Sequence, residues 1–440
     1  MSRLRILLTS TTLARRSGSE MYTRDLAVGL LQQGHAPVVY STEIGEIAHE
    51  IKMATVPVVD DLARLSTPPD IIHGNHHLEL ITALLHFPGV PAIHVCHAWN
   101  SVEASPPRFP RIRRYVAVDE TSRDRLLLEE GVPEERVRLH LNAVDLGRFR
   151  PRSPLPSRPR RALVFSNYAS EETHLPVVRE ACARAGLELD AVGAGVGRSC
   201  PEPERILGQY DLVFAKARCA LESMAVGTAV VLCDSTGAGP LVTAGNLDSL
   251  RCANFEIRTL RNPLDPELLL REIARYDPAD AAEVSQRIRA TAGLEQAVGT
   301  MVDIYREAIA EQAAAPPPDR EAEEHAAAVY LRWLTIVTRD ERTWRDWMSR
   351  AARAEAERDT SREEAGRLRD EIARLHGELA RVSLLEDRLR AAETERDSSR
   401  AEIAYVTRTA TWRLRERLTH WGPLVRAYRF LRGNVRRSGS

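Results

Sequence analysis

Tyr115-Val116-Ala117-Val118-Asp119-Glu120-Thr121-Ser122-Arg123-Asp124-Arg125-Leu126 passes from a short apolar run, through an acid, straight into a helical pattern. A strand that feeds a helix in this way is the repeating unit of a parallel α/β sheet. The same alternation extends towards the N-terminus. Strands are expected at 4–8, 38–40, 70–73 and 92–96. Between them lie a helix with Met21, Leu26, Leu30 and Leu31 on one face, ended by Gly34, and another over 78–85.

After Pro151, Pro154, Pro156 and Pro159 the pattern starts again. Strands are expected at 162–165, 189–192, 211–214 and 228–233, with helices over 176–185 and 219–226 and closing helices over 266–274 and 296–310. The chain therefore reads as two Rossmann-like halves in tandem, 1–155 and 156–312, followed by an Ala/Pro linker at 313–320. The region 321–404 differs in kind: Ala365, Leu368, Ile372, Leu375, Leu379, Val382 and Leu389 fall on alternating steps of three and four, with Glu386 interrupting one position, the seam of a coiled coil or one face of a solvated helix. The tail 405–440 carries nine arginines against the single acid Glu416, a formal charge of +8, interleaved with Trp412, Leu414, Leu418, Trp421, Leu424, Val425, Tyr428 and Leu431. That composition suits a helix lying on an anionic membrane surface, or an apolar face packed on protein.

Across all 440 residues, 61 basic and 62 acidic side chains nearly cancel, which argues against a generally basic nucleic-acid binder. The six cysteines include no C-x-x-C pair and read as free thiols of a reducing cytosol. Neither a secretory signal nor a membrane-spanning helix is expected, so the placement is cytoplasmic, peripheral on the inner face of the plasma membrane if the tail meets lipid.

The motifs narrow the class. Residues 115–126, then Gly131-Val132-Pro133-Glu134-Glu135-Arg136-Val137 and Leu141-Asn142-Ala143-Val144-Asp145, resemble the end of the N-terminal domain in bacterial family-four glycosyltransferases of the GT-B fold. Asp119 stands where that family usually has Ser, and Ala143 where it has Gly. Ser17-Gly18-Ser19-Glu20 is similar to its Gly-Gly-x-Glu, and Gln33-Gly34-His35 to its Gly-His turn. Asp70-Ile71-Ile72-His73 and the strand ending in Cys96-His97 also fit. Leu221-Glu222-Ser223-Met224-Ala225-Val226-Gly227-Thr228-Ala229-Val230-Val231 resembles its Leu-Glu-Ala-Met-Ala-x-Gly-x-Pro-Val-Val. The resemblance spans residues 3–311 and implies two Rossmann-like domains facing a cleft, followed here by a long helical coiled coil.

It further implies a retaining, metal-independent hexosyltransferase-like enzyme. The donor would be a UDP- or GDP-sugar, the acceptor a cell-surface glycan or its lipid-linked precursor, and no cofactor is expected. Gly18, Leu221, Glu222 and Asn142 would hold the donor, Glu222 accepting its ribose hydroxyls; alternatively Glu222 is a carboxylate favoured by the helix dipole. His97 would lie beside the transferred sugar, or be a satisfied polar group. Lys216 and Arg218 would neutralise the departing diphosphate, unless Lys216 is a snorkelling surface residue.

Two departures stand out. Phe165-Ser166-Asn167-Tyr168-Ala169-Ser170-Glu171-Glu172 lacks the family's Arg and Lys, and Phe214 occupies the position eight before Glu222 where a sugar-contacting acid belongs. The rival expectation is thus a catalytically degenerate GT-B scaffold acting through its coiled coil, by self-association or on a partner. Gly193-Ala194-Gly195-Val196-Gly197 lacks G-x-G-x-x-G spacing, the five histidines His73, His76, His77, His94 and His97 show no metal spacing, and no Asp-x-Asp occurs.

Overall fold

A computed structural model describes residues 2–316, 319–408, 413, 415 and 417. In chain order the first half contains β1 (Arg5–Thr9), β2 (Thr12–Leu13), α1 (Gly18–Gln32), β3 (Ala36–Tyr40), β4 (Glu43–Ile44), α2 (Glu46–Met53) and β5 (Val58–Val59). There follow β6 (Ile71–Gly74), α3 (His77–His86), β7 (Ala92–Cys96), β8 (Ile112–Ala117), α4 (Glu120–Asp124) and β9 (Val137–Leu139). The second half contains β10 (Arg161–Phe165), α5 (Leu175–Ala185), β11 (Glu188–Val192), β12 (Leu212–Ala215), α6 (Ala217–Val226), β13 (Ala229–Asp234) and β14 (Gly237–Leu241). Helices α7 (Leu247–Cys252), α8 (Pro266–Ala274), α9 (Pro278–Thr291), α10 (Leu294–Ala314) and α11 (Arg320–Arg408) complete the order.

Seven strands form an all-parallel sheet in the order β5-β3-β1-β6-β7-β8-β9. Five form a second sheet, β11-β10-β12-β13-β14, parallel but for β14. Their strands are apolar on both faces because helices cover both sides. Each sheet reverses its strand order once, at β1 and at β10, and the carboxyl end of such a strand opens a crevice where ligands bind. These are two Rossmann-type α/β layers with a long C-terminal helix, the GT-B arrangement.

β9 and β14 escape a reading of the sequence. Val137-Arg138-Leu139 is too short and polar to announce a strand, and Gly237-Ala238-Gly239-Pro240-Leu241 looks like a loop. Both are edge strands, and β14 tolerates Pro240 for that reason.

One expectation is corrected. Helix α10 does not close the second half. Val298, Met301, Val302, Ile304, Tyr305 and Ala308 are buried with Leu26, Ala27 and Leu30 of α1 in the core of the first sheet. Gly29 makes the approach possible, since a Cβ there would lie 2.7 Å from Val298 Cγ2. The chain enters α10 beside its exit from the first half, where Val144 and Gly293 form a parallel bridge.

The compact unit also runs past the Ala/Pro segment, to Thr338. The first turns of α11 are the reason. Arg111, 1% exposed, donates to Glu323 at 2.6 and 3.1 Å and to the carbonyls of Leu84, Phe87 and Val90. Tyr330 Oη lies 2.7 Å from His77 Nδ1, and Trp333 packs edge-on against the same ring. From Arg339 onward α11 belongs to a separate unit. There Leu368, Ile372, Leu375, Leu379, Val382 and Leu389 are exposed in the single chain. The basic tail expected at 405–440 lies outside the described residues beyond 408, save 413, 415 and 417. Among the described residues no helix is long and apolar enough to cross a membrane.

Candidate functional site

Two cavities of about 130 Å³ each open at the carboxyl ends of the strands and share Gly18 and Arg218 as common wall. Gly18 begins α1 directly after the β1 loop. A Cβ added there meets nothing within 4 Å, so its own backbone does not demand glycine; the open space lies on the cavity side. Ser17 stands at the N-cap position without a side-chain capping bond; its hydroxyl, together with that of Ser19, holds the buried carboxylate of Glu20.

The other wall is α6. Only Lys216 separates it from β12, so the loop that would carry the family's first acid is absent, and Phe214 is wholly buried in the sheet. The tight entry forces Ala217 to φ 50°, a left-handed conformation unusual for a side-chain-bearing residue. Asn254 and Phe255, at φ 52° and 57°, face it, and the Ala217 N–H donates to Phe255 O. Strained backbone gathered at one cleft is characteristic of binding sites. The Ala220 N–H in the first turn of α6 is bonded to Lys216 O and so is not free for a ligand.

Arg218 bridges the halves. Its Nε donates to Glu222 Oε1 at 2.7 Å, and its Nη2 to Asp25 Oδ2 on α1. Asp25 is also paired with Arg24. Burial works against the Asp25 carboxylate, but Arg218 and Arg24 outweigh it and hold the group below its ordinary value. Burial instead pushes Glu222 up, against Arg218, which it shares with Asp25, and against the weaker pull of Arg148. Lys216 sits between Asp234 at 3.0 Å and Glu256 at 3.3 Å; burial opposes its charge, yet the two acids raise it above the ordinary lysine value. Both cations singled out in the sequence are therefore each matched by two carboxylates.

The cavities differ in character. Arg16, Arg148 and Arg218 border the second, with Glu222 its lone acid. Arg16 pairs with Glu46 and Glu50, and Arg148 with Glu204 at 2.9 Å, so all three guanidiniums are held in place. Phe165, Asn167 and Gly193 line it from the carboxyl ends of β10 and β11, which puts it at the reversal points of both sheets.

Beside the shared Arg218 and an apolar wall that includes Leu26, Val118, Leu294 and Val298, the first cavity is lined by Tyr22, His97, Asp119, His140, Asn142 and Glu256. Asp119 caps α4 through the Ser122 N–H at 2.7 Å, which explains why Asp serves in place of Ser. Asn75 fixes the polarity around His97. Its Nδ2 donates to Thr9 O and Thr23 Oγ1, so its Oδ1 must accept, from His73 Nε2 at 3.1 Å and His97 Nε2 at 2.8 Å. His73 Nδ1 in turn accepts from Tyr305 Oη at 2.7 Å. His97 is left as the Nε2–H tautomer with Nδ1 free to accept. Burial, and then His76, His73 and His94, hold its pKa well below the ordinary value, so it stays neutral. Two buried polar atoms of residues lining it have no partner among the described residues: Tyr22 Oη, a donor, and Nδ1 of His140, whose Nε2 donates to Ala297 O at 2.9 Å. Unpaired buried polar atoms lining a cavity call for a ligand or water.

Of the residues named from the sequence, Gly18, His97, Asn142 and Arg218 border the first cavity, and Gly18, Arg218 and Glu222 the second. Lys216 and Leu221 line neither. The Leu221 side chain is wholly buried in the core of the second half. Asp25, Asn75, Asp234 and Glu256 were not singled out. Asn75 stood between recognised histidines, its one signal; Asp25 looked like any helix carboxylate.

The sequence pattern of Glycosyltransferase Family 4 matches residues 16–148. A crystal structure of a glycosyltransferase from Rickettsia africae ESF-5 is 15% identical, with a TM-score of 0.51, over 70% of this chain and 99% of that one. Anabaena Alr3699/HepE, solved with UDP and glucose, is 14% identical, with a TM-score of 0.49, over 69% of this chain and 99% of its own. At such identity the former likeness shows a shared fold. No curated protein matches the sequence.

Proposed function

We propose that the chain is a retaining, metal-independent glycosyltransferase that moves a sugar from a UDP- or GDP-sugar to a cell-surface glycan or lipid-linked precursor. The observation that carries this is the pair of cavities meeting at Gly18 and Arg218, one with the further arginines Arg16 and Arg148, the other with neutral and acidic hydrogen-bonding groups beside a partly apolar wall. The first kind of surface suits a diphosphate and the second a polyhydroxylated sugar. Arg148, held by the single acid Glu204, supplies charge that the segment after β10 lacks, and Arg16 joins it by exchanging Glu46 or Glu50 for phosphate. Arg218 joins them by exchanging Asp25 for phosphate. The second carboxylate oxygen of Glu222 accepts from the ribose, and Nδ1 of His97 from a sugar hydroxyl.

In the reaction the sugar C1–O bond to phosphate breaks as the acceptor oxygen bonds to C1 on the same face. The acceptor proton passes to the departing phosphate oxygen. The arginines stabilise the charge that grows there. His97, held neutral and weakly basic, orients the sugar without taking the proton. Retention rests on the family resemblance. The basic tail would bring the enzyme to the anionic inner face of the membrane, where a lipid-linked acceptor is found.

A second reading has its own support. With Arg218 and Lys216 each neutralised by two acids and Phe214 in place of an acid, the cleft also fits a degenerate scaffold. Thermal shift with UDP, GDP and their sugars, followed by a hydrolysis screen, separates the two. The enzyme is stabilised by one nucleotide and slowly hydrolyses its sugar. A chain that no nucleotide stabilises is the scaffold.

A further inference from the structure

We infer that α11 pairs with a second copy of itself as a parallel, in-register, two-stranded coiled coil over 365–389. This stands apart from the proposed chemistry, since it rests on the helix alone. Placing Ile372 and Leu379 at a puts Leu368, Leu375, Val382 and Leu389 at d. All six side chains are exposed in the single chain, from 48% at Leu375 to 71% at Leu379. Six large apolar residues on one stripe of a charged helix are costly in water. Leucine at most d positions with β-branched Ile372 at a favours two strands. The seam has clear ends: Arg358 and Ser361 occupy a and d before it, Glu393 and Arg396 after it.

The flanks of the seam name the partner and its direction. Glu364, Glu371 and Glu378 hold three consecutive g positions, while the e positions carry Arg369, His376, Ser383 and Arg390 and no acid. In an antiparallel pair g faces g and e faces e, so at no axial offset does a glutamate at g face a base at e. In a parallel pair g meets e of the next heptad in the partner. Glu364 then meets Arg369, and Glu371 meets His376. Within the chain Glu371 and Glu378 reach only Arg374, at 3.5 and 3.2 Å, in exposed pairs that contribute little. A helix whose two flanks carry opposite signs is complementary to a parallel copy of itself. Glu386 at a is the weak layer: parallel pairing sets the two copies' carboxylates against each other, which keeps the association modest.

The test uses the full chain. Val382→Cys should form an interchain disulfide in a glutathione buffer under conditions where the wild type, with its native cysteines, does not. Reversing the seam on itself would instead set Val382 against Ile372. Sedimentation equilibrium should show a concentration-dependent dimer, and Glu386→Leu should tighten it by about tenfold by replacing the facing charges with an apolar layer. A wild-type chain that stays monomeric at high concentration overturns the inference. So does a Val382→Cys variant that fails to cross-link while the Ile372→Cys/Val382→Cys chain does, which is the antiparallel result. Unchanged or weakened association in Glu386→Leu overturns the in-register parallel pairing.

Discussion

Four of the buried histidines in the first half are held as neutral rings far below their ordinary value. Burial holds His73 and His94 at about 3 and His76 and His77 at about 4, against an ordinary value of 6.5. In the unfolded chain they take up protons as pH falls through 6.5; in the fold they refuse them until the lower values are reached. Stability is therefore lost on acidification, starting near pH 6.5, by about 1.4 kcal/mol per pH unit for each ring once the unfolded form is protonated. Urea unfolding midpoints measured between pH 7 and 5 should fall steeply, and a flat profile would contradict the burial of these rings. Glu222 is the residue on which donor binding should turn. Glu222→Gln keeps the shape and leaves Arg218 paired with Asp25, yet nucleotide affinity should drop by about 1–3 kcal/mol, as for a lost charge-assisted hydrogen bond. Titration calorimetry showing wild-type affinity would remove the ribose role. Glu222 itself was legible from its flanking motif. That its carboxylate shares a guanidinium with Asp25 was not, because the bond from Arg218 to Asp25 joins positions 193 residues apart.

At the scale of elements, the contact of α1 with α10 depends on a missing side chain. Gly29→Ala places a methyl 2.7 Å from a β-branched neighbour that cannot swing aside. The gain in helix propensity, about 1 kcal/mol, should be outweighed by an overpacking cost of about 1–3 kcal/mol. Chemical denaturation should show net destabilisation, and Val298→Ala added to Gly29→Ala should recover part of it. If the two changes simply add, the helices do not meet there. Most elements were legible because each carries its own period, two for strands and 3.6 for helices. The attachment of α10 was not, because its apolar stripe looks the same whichever sheet it covers. Its place was set by where the chain re-enters at Gly293 and by the space at Gly29.

For the molecule as a whole, the first turns of α11 are part of the compact body. A chain ended after Thr338 should keep the full packing of that body. One ended after Ala315 loses Glu323, Tyr330 and Trp333 and leaves the guanidinium of Arg111 buried without its carboxylate. Removing one partner of such a pair costs about 3–5 kcal/mol, reduced here by the three carbonyls that Arg111 keeps. Thermal melts should rank the 338 chain clearly above the 315 chain; equal midpoints would mean that α11 contributes nothing to the body. The basic tail gives a further test. The full chain should sediment with anionic vesicles and be released by salt, and a chain ended at Ile403 should not; equal behaviour of both would leave the tail as a protein-contact element.

The sequence by itself determined what depends on neighbours along the chain: the strand–helix alternation, the two halves, the helical region and its seam, and the motifs at Gly18, His97 and Glu222. Tertiary structure alone decided which charges are free to act. Lys216 and Arg218 looked like available cations, but folding pairs each with two carboxylates, from Asp234 and Glu256, and from Asp25 and Glu222. It also showed Arg16 and Arg148 on the wall of the arginine-lined cavity, and Asn75 as the residue that sets the tautomer of His97. The physical reason is range. Periodicity is written into adjacent residues, whereas the charge balance of a cleft sums over groups far apart in the sequence, such as Asp25 and Arg218, that only the fold brings together.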